Sequence, residues 1–224
     1  MLLTRNCPGC RRPDRGICRS CRHRLNACRV DDAVLAIVAR RVGVERLVAL
    51  WAYEPPSRRV VLALKNRART DLADVLARAL ARHVVARPDV VAWVPASGGG
   101  RRRRGYDQGA VLARALARHL GVPGRRLLVR ADRHGGRRRT RQRRLEGPAL
   151  VAGPGRRRGP AAPDPEARVL LVDDVVTTGG SLAAAVQALR AAGYRATDAA
   201  VLAVVPDATP TSPSPRATVP VAAP

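Results

Sequence analysis

The 224-residue chain carries 42 Lys plus Arg against 17 Asp plus Glu, a formal charge of +25, and 46% of its residues are hydrophobic. That length and apolar content suit a folded domain with its own core and exclude a wholly disordered chain. No apolar run approaches the roughly 20 residues of a membrane helix, and the opening residues lack a signal-like stretch, so no membrane insertion and a cytoplasmic location are expected.

Lys65 is the sole lysine, Phe is absent and aromatics make up 2% of the chain, a bias typical of GC-rich coding that inflates arginine without any ligand. Residues 101–158 nevertheless concentrate 19 Arg against 3 acids. Such a stretch attracts polyanions, although no stacking aromatics accompany it as they do in single-strand binders.

Residues 1–28 are polar and cysteine-bearing, with almost nothing to build a core. Asp31 and Asp32 then precede an apolar run at 33–38, a helix start with carboxylates at its N-terminus. Strands are predicted at 47–53, 90–94, 126–129, 168–172 and 198–205. Between them, Ser57 is placed as the cap of a helix through Val60, Val61, Leu64 and Lys65. Apolar residues at helical spacing predict helices from Leu72 to His83 and from Ala110 to Leu120, with Gly121 ending the second. A further helix runs from Ser181 to Ala192 and is closed by Gly193. Residues 97–104 read as a glycine-rich turn and basic run, 130–165 as a mobile basic loop, and the tail from 206 as disordered. Strands alternating with helices predict an α/β fold, a parallel sheet with helices on both faces. The division expected is a zinc module at 1–28, the α/β domain at 29–205 and a tail at 206–224.

Two features carry chemistry. Cys7 with Cys10, and Cys18 with Cys21, form two pairs of C-x-x-C spacing, a set that fits one tetrahedral Zn²⁺ whose binding supplies folding energy to a segment without a core. Two disulfides or plain thiols are the alternative, and Cys28 reads as a free thiol. The second feature is the run from Val169 to Ser181. Four apolar residues make a buried strand, Asp173 and Asp174 stand at its carboxyl end, and Val175, Val176, Thr177, Thr178, Gly179, Gly180 and Ser181 turn into a helix. Backbone N–H groups of such a turn, together with a helix N-terminus, cradle phosphate. The paired acids suit a sugar diol or the waters around Mg²⁺. An Asx turn with a capped helix accounts for the glycines but not for the acids or the hydroxyls.

The Asp173–Ser181 stretch resembles the phosphoribosyl-pyrophosphate (PRPP) signature of type I phosphoribosyltransferases. The whole chain resembles the ComF family, in which four features occur in this order: the double Cys pair; Tyr53 followed by Leu64-Lys65; Val94-Pro95 followed by Arg104-Gly105-Tyr106-Asp107-Gln108; and the PRPP loop. The resemblance implies that Asp173 and Asp174 face the ribose hydroxyls, that 175–181 enclose the 5-phosphate, and that Arg104, with Arg103, neutralises the leaving pyrophosphate beside Mg²⁺. Lys65 and Gln108 join the implied substrate-binding set. Asp107 stands where the family has Asn. The family's Arg-x-x-Asn and Gly-Ala-Phe hood motifs are missing after Thr140 and Gln142.

Two functions follow from the resemblance. One is transfer of phosphoribose from PRPP to a base or amine. The other is a non-enzymatic role in competence, DNA uptake or recombination. PRPP or a related phosphorylated sugar, DNA, and a second copy of the chain are the partners expected.

Overall fold

The computed structural model describes residues 6–14, 16–66, 69–131, 148–153, 164 and 166–206. Most of the expected basic loop, including Thr140 and Gln142, and nearly all of the tail lie outside these residues.

Four strands form one parallel sheet: β1 (Arg46–Ala52), β2 (Val90–Trp93), β5 (Arg168–Val176) and β6 (Arg195–Val204), in the order β1-β6-β5-β2. The predicted strand at 126–129 does not join them. It becomes β3 (Leu128–Arg130), paired antiparallel with β4 (Leu150–Ala152) in a separate two-stranded sheet. The reason lies just upstream. Val91 donates its N–H to Pro123 (3.0 Å) and accepts from Arg125 N–H (2.9 Å), which closes the outer edge of β2 with a single turn of chain. Leu127 and Leu128 are then drawn under the sheet, where they are buried.

Helices cover both faces. The first core cluster packs α3 (Pro55–Asn66), α4 (Leu72–Ala81) and α6 (Gln108–Leu120) on Leu170, Val172 and Leu202. The second packs α2 (Asp32–Val42) and α7 (Gly180–Ala191) on Val169, Leu171 and Val201. This split follows from the period of two in the strands, which sends successive residues of β5 to opposite faces. α4 and α6 start and stop close to their predicted limits. Carboxylates do stand at the start of α2: Asp31 caps it, its side chain accepting the N–H of Ala33 at 2.7 Å, and Asp32 is its first residue.

Ser57 is not a cap. It lies inside α3, fully buried, with Oγ donating to the Ala52 carbonyl (2.6 Å) and accepting the Glu54 N–H (3.0 Å). Pro55 starts the helix two residues earlier because proline's fixed φ suits a first turn that needs no N–H. The basic run is not a loop either. Ser97 accepts the N–H of Gly100 at 3.1 Å and opens α5 (Gly98–Arg104), which Gly105 closes at φ +77°.

The cysteine-bearing segment has more core than its composition suggests. Ile17, Leu25 and Cys28 are buried in the same cluster as Trp51, Val60 and Leu64, with α1 (Arg19–Asn26) against α3. Arg59 donates to the Gly9 carbonyl (3.0 Å), Arg69 to that of Asn6 (2.6 Å), and Ala52 N–H to that of Cys28 (2.7 Å). No described helix is long and apolar enough to cross a membrane.

Candidate active site and cysteine cluster

β5 runs through Val176 rather than stopping at Val172, so the two acids belong to the strand and not to the turn after it. Asp173 pairs with Val201 in register, and Val175 with Ala203. The ladder explains the extension: β6 is ten residues long and offers partners as far as Val204. Because strand neighbours face opposite ways, Asp173 and Asp174 are directed to different faces.

Asp174 is 5% exposed and turned toward α3 and α6. Its Oδ2 lies 3.0 Å from Lys65 Nζ, at the end of α3, and accepts from Gln108 Nε2 (3.2 Å) at the start of α6. The chain's single lysine thus meets a buried acid far away in sequence. Tyr106 fixes this approach by donating its hydroxyl to the Leu64 carbonyl. Asp173 Oδ1 accepts the N–H of Asp174 at 2.8 Å. Burial, reinforced by the charges of Asp174 and Asp107, pushes the Asp173 carboxyl up to about 8, against the pull of the Asp174 amide and Lys65.

Asp107 caps α6. One carboxylate oxygen accepts from Ala110 N–H (3.3 Å) and the other from Ala96 N–H (3.2 Å). Both oxygens are used, so the departure from Asn is a local gain: an amide has one acceptor oxygen and would leave one of those N–H groups facing an NH₂. Asp107→Asn is expected to cost about 1 kcal/mol, the usual scale for a lost cap bond, read as a lower midpoint in urea unfolding.

The remaining residues of the implied set fall into three groups. Thr177, Thr178 and Ser181 are exposed in the β5–α7 turn and first helical turn, while Gly179 and Gly180 are buried there. Val175 packs on the first core cluster and Val176, 2% exposed, on the second, so their side chains serve packing. Arg104 sits at the end of α5 with its Nε buried and without a hydrogen-bond partner, its guanidinium folded over Gly100. Arg103 is exposed. The structure therefore brings Lys65, Gln108 and Asp174 together, keeps Asp173 beside them only as the strand neighbour of Asp174, and leaves Arg104 on a separate helix with an unused donor.

Gly179 is required for two reasons. Its φ is +83°, and an added Cβ would lie 2.7 Å from Val42 Cγ1 and 3.7 Å from Arg41 Nε. The turn thus rests on the end of α2, a contact that no local signal around Arg41 or Val42 announces.

The four sulfurs of Cys7, Cys10, Cys18 and Cys21 all lie within 4.8 Å of one another, and Cys10 and Cys18 are 3.6 Å apart. No disulfide joins any of the five cysteines in the structure. Four sulfurs about 2.3 Å from one tetrahedral ion stand about 3.8 Å apart, so the cluster is the right size for a metal. Burial opposes ionisation of Cys7, but the amides of Cys18, Cys10 and Gly9 outweigh it and bring the thiol down to about 6. Burial and the neighbouring sulfurs push Cys21 up to about 12, despite a 3.3 Å hydrogen bond from Arg24. An added Cβ at Gly9 would lie 2.7 Å from Cys21 Sγ, so glycine is needed for the sulfurs to converge.

A parallel α/β sheet with acids near the end of a central strand, followed by a glycine-bearing turn into a helix, is an arrangement that phosphate-binding α/β proteins also use. Residues 107–217 match the family described as the phosphoribosyl transferase domain. Several solved structures are similar. Glutamine PRPP amidotransferase from B. subtilis is 21% identical, with 63% of this chain and 30% of that one covered and a TM-score of 0.43. Orotate phosphoribosyltransferase from Aeropyrum pernix is 25% identical, with 66% and 64% covered and a TM-score of 0.38. The APRTase from Giardia lamblia is 23% identical, with 65% and 72% covered and a TM-score of 0.39. The chain thus spans less than a third of the amidotransferase. No protein of curated function matches its sequence.

Proposed function

We propose that the protein binds PRPP and transfers its phosphoribosyl group to a nitrogen base or amine. The observation that carries this reading is the constellation around Asp174. A buried carboxylate is held by Lys65 and Gln108 beside a second carboxyl, Asp173, at the mouth of a glycine-bearing turn that lies in the stretch matching the phosphoribosyl transferase domain.

In this reading the backbone N–H groups of 177–181 and the start of α7 take the 5-phosphate, while Asp173 and Asp174 face the ribose hydroxyls. Lys65 and Gln108 hold the Asp174 carboxylate in place. Arg104 swings its unused Nε–H onto the pyrophosphate, a task that suits the rigid guanidinium fork. Carboxylate oxygens suit Mg²⁺, and a carboxyl held near 8 by burial and a like charge marks a place short of positive charge. When bound, the ion supplies neutralisation of the leaving pyrophosphate. The chain's own residues position the anomeric carbon and stabilise the charge that develops as the glycosidic bond breaks. The cysteine cluster holds a structural Zn²⁺. The order of the double Cys pair, the Arg104–Gln108 segment and the acidic loop supports placing the chain with the ComF type.

The test is calorimetric titration of PRPP, with and without Mg²⁺, into the wild type and Asp173→Asn/Asp174→Asn. Saturable Mg²⁺-dependent binding, weakened at least tenfold in the variant, is expected. A folded, metal-loaded protein that shows no binding would overturn the reading, and the search would move to DNA.

A further inference from the structure

Among the described residues, the parallel sheet has one closed edge and one open edge. The outer edge of β2 is taken by residues 123–125, whereas β1 lies at the other end of the strand order with only β6 beside it. Tyr53 N–H reaches Val204 on the inner side, and Ala52 N–H, aimed the opposite way, is taken by the Cys28 carbonyl. Alternation along the strand then turns the N–H and C=O of Arg46, Val48 and Leu50 outward, as it does those of Ala52. No described residue bonds them on that side.

This edge is the floor of a groove of about 1000 Å³, walled by α2 on one side and α4 on the other, with the end of α1 closing it. Val75 and Val85, among the few large apolar side chains left exposed, at 48% and 84%, line it. So do Arg22, Arg29, Arg78 and Arg82, none of which has an ion-pair partner among the described residues; Asp32 and Glu45 are the acids free to oppose them. Asp74 is engaged by Arg118 and His119, and Arg46 by Asp198.

We propose that the groove takes an extended, acidic segment of a partner protein, added as a further strand along β1. Main-chain hydrogen bonds to 46, 48 and 50 give the affinity, alternate side chains meet the α2 and α4 walls, and carboxylates meet the arginines. Charge selects this occupant. A second copy would bring the same four arginines against themselves on a chain already at +25. The chain's own residues 207–224 hold one acid, and prolines at 210, 213, 215, 220 and 224 leave no more than four consecutive residues able to donate. A nucleic acid meets the arginines but cannot satisfy alternating N–H and C=O groups. This inference is independent of the reading proposed for Asp174.

The experiment is fluorescence anisotropy of the full-length chain with a fluorescein-labelled heptapeptide of alternating Val and Glu. Two comparisons accompany it: the same peptide N-methylated at alternate amides, and a labelled single-stranded oligonucleotide. Saturable binding is expected, weakened at least tenfold by N-methylation and at least tenfold by Arg78→Glu/Arg82→Glu, with the variant's melting temperature and metal content unchanged. Four results would overturn the proposal: no binding; equal binding of the N-methylated peptide, which leaves charge alone; displacement of the peptide from 78/82 by the oligonucleotide at equal potency; or binding that appears only after a dimer dissociates or residues 207–224 are removed.

Discussion

Extraction of the zinc proposed for the cysteine cluster is expected to lower the melting temperature of the whole α/β domain, not merely to loosen its first 28 residues. The cluster is tied into the main core: Cys7, Ile17, Cys21, Leu25 and Cys28 are buried with Trp51, Val60 and Leu64, and the Cys28 carbonyl holds the end of β1. Structural zinc supplies roughly 10–16 kcal/mol of apparent binding energy to isolated finger peptides at neutral pH. Here part of the segment's order comes from core packing, so a smaller loss is expected, about 3–5 kcal/mol. That corresponds to a fall of roughly 6–20 °C for a chain of this size. Cys21→Ser should reproduce it, because it removes a sulfur that is both one of the four in the cluster and buried in the main core. Calorimetric melts with and without a zinc chelator, alongside metal analysis of the purified chain, check this. An unchanged melt in a protein shown to have lost one zinc would reject a structural role.

Gly179→Ala is the second substitution with a large expected effect, and it reaches the candidate site through the backbone. A left-handed φ costs a residue with a Cβ about 1–2 kcal/mol. The new methyl would also press on Val42, 2.7 Å away and only 2% exposed, at a further cost of about 1–3 kcal/mol for overpacking. The sum is a fall of roughly 4–20 °C in melting temperature and loss of PRPP binding as the turn shifts off α2. Adding Val42→Ala should relieve the clash but not the φ strain, and so restore part of the stability. A Gly179→Ala protein that melts and binds like the wild type would show that this turn tolerates any small residue.

Much of the candidate site can be read locally. The C-x-x-C pairs place four sulfurs within reach of one ion because a two-residue gap is a short, self-contained turn. Buried strand, acids, small residues and helix follow one another within thirteen positions at 169–181. α4 and α6 are legible for the same reason, since a 3.6-residue period survives in the chain whatever packs against it. Boundaries that depend on a distant partner were not legible in this way. β5 continues through its two acids because β6 offers a ladder there, and a local reading hears only polar residues and a turn. Residues 101–104 are helical because Ser97 caps them and Gly105 closes them, although their glycines and arginines carry no apolar period.

By itself, then, the sequence determined the α/β class, the metal-sized cysteine set and the acid pair followed by a small-residue turn into a helix, all of which are written in residues close along the chain. Only the tertiary structure decided that Lys65 and Gln108 grip Asp174, that Gly179 leans on Val42, that 128–130 leave the parallel sheet and that β1 keeps an open edge. The physical reason is common to all four. Strand order and helix placement follow from which apolar faces can cover one another, a property of the whole chain, and no window of residues carries it.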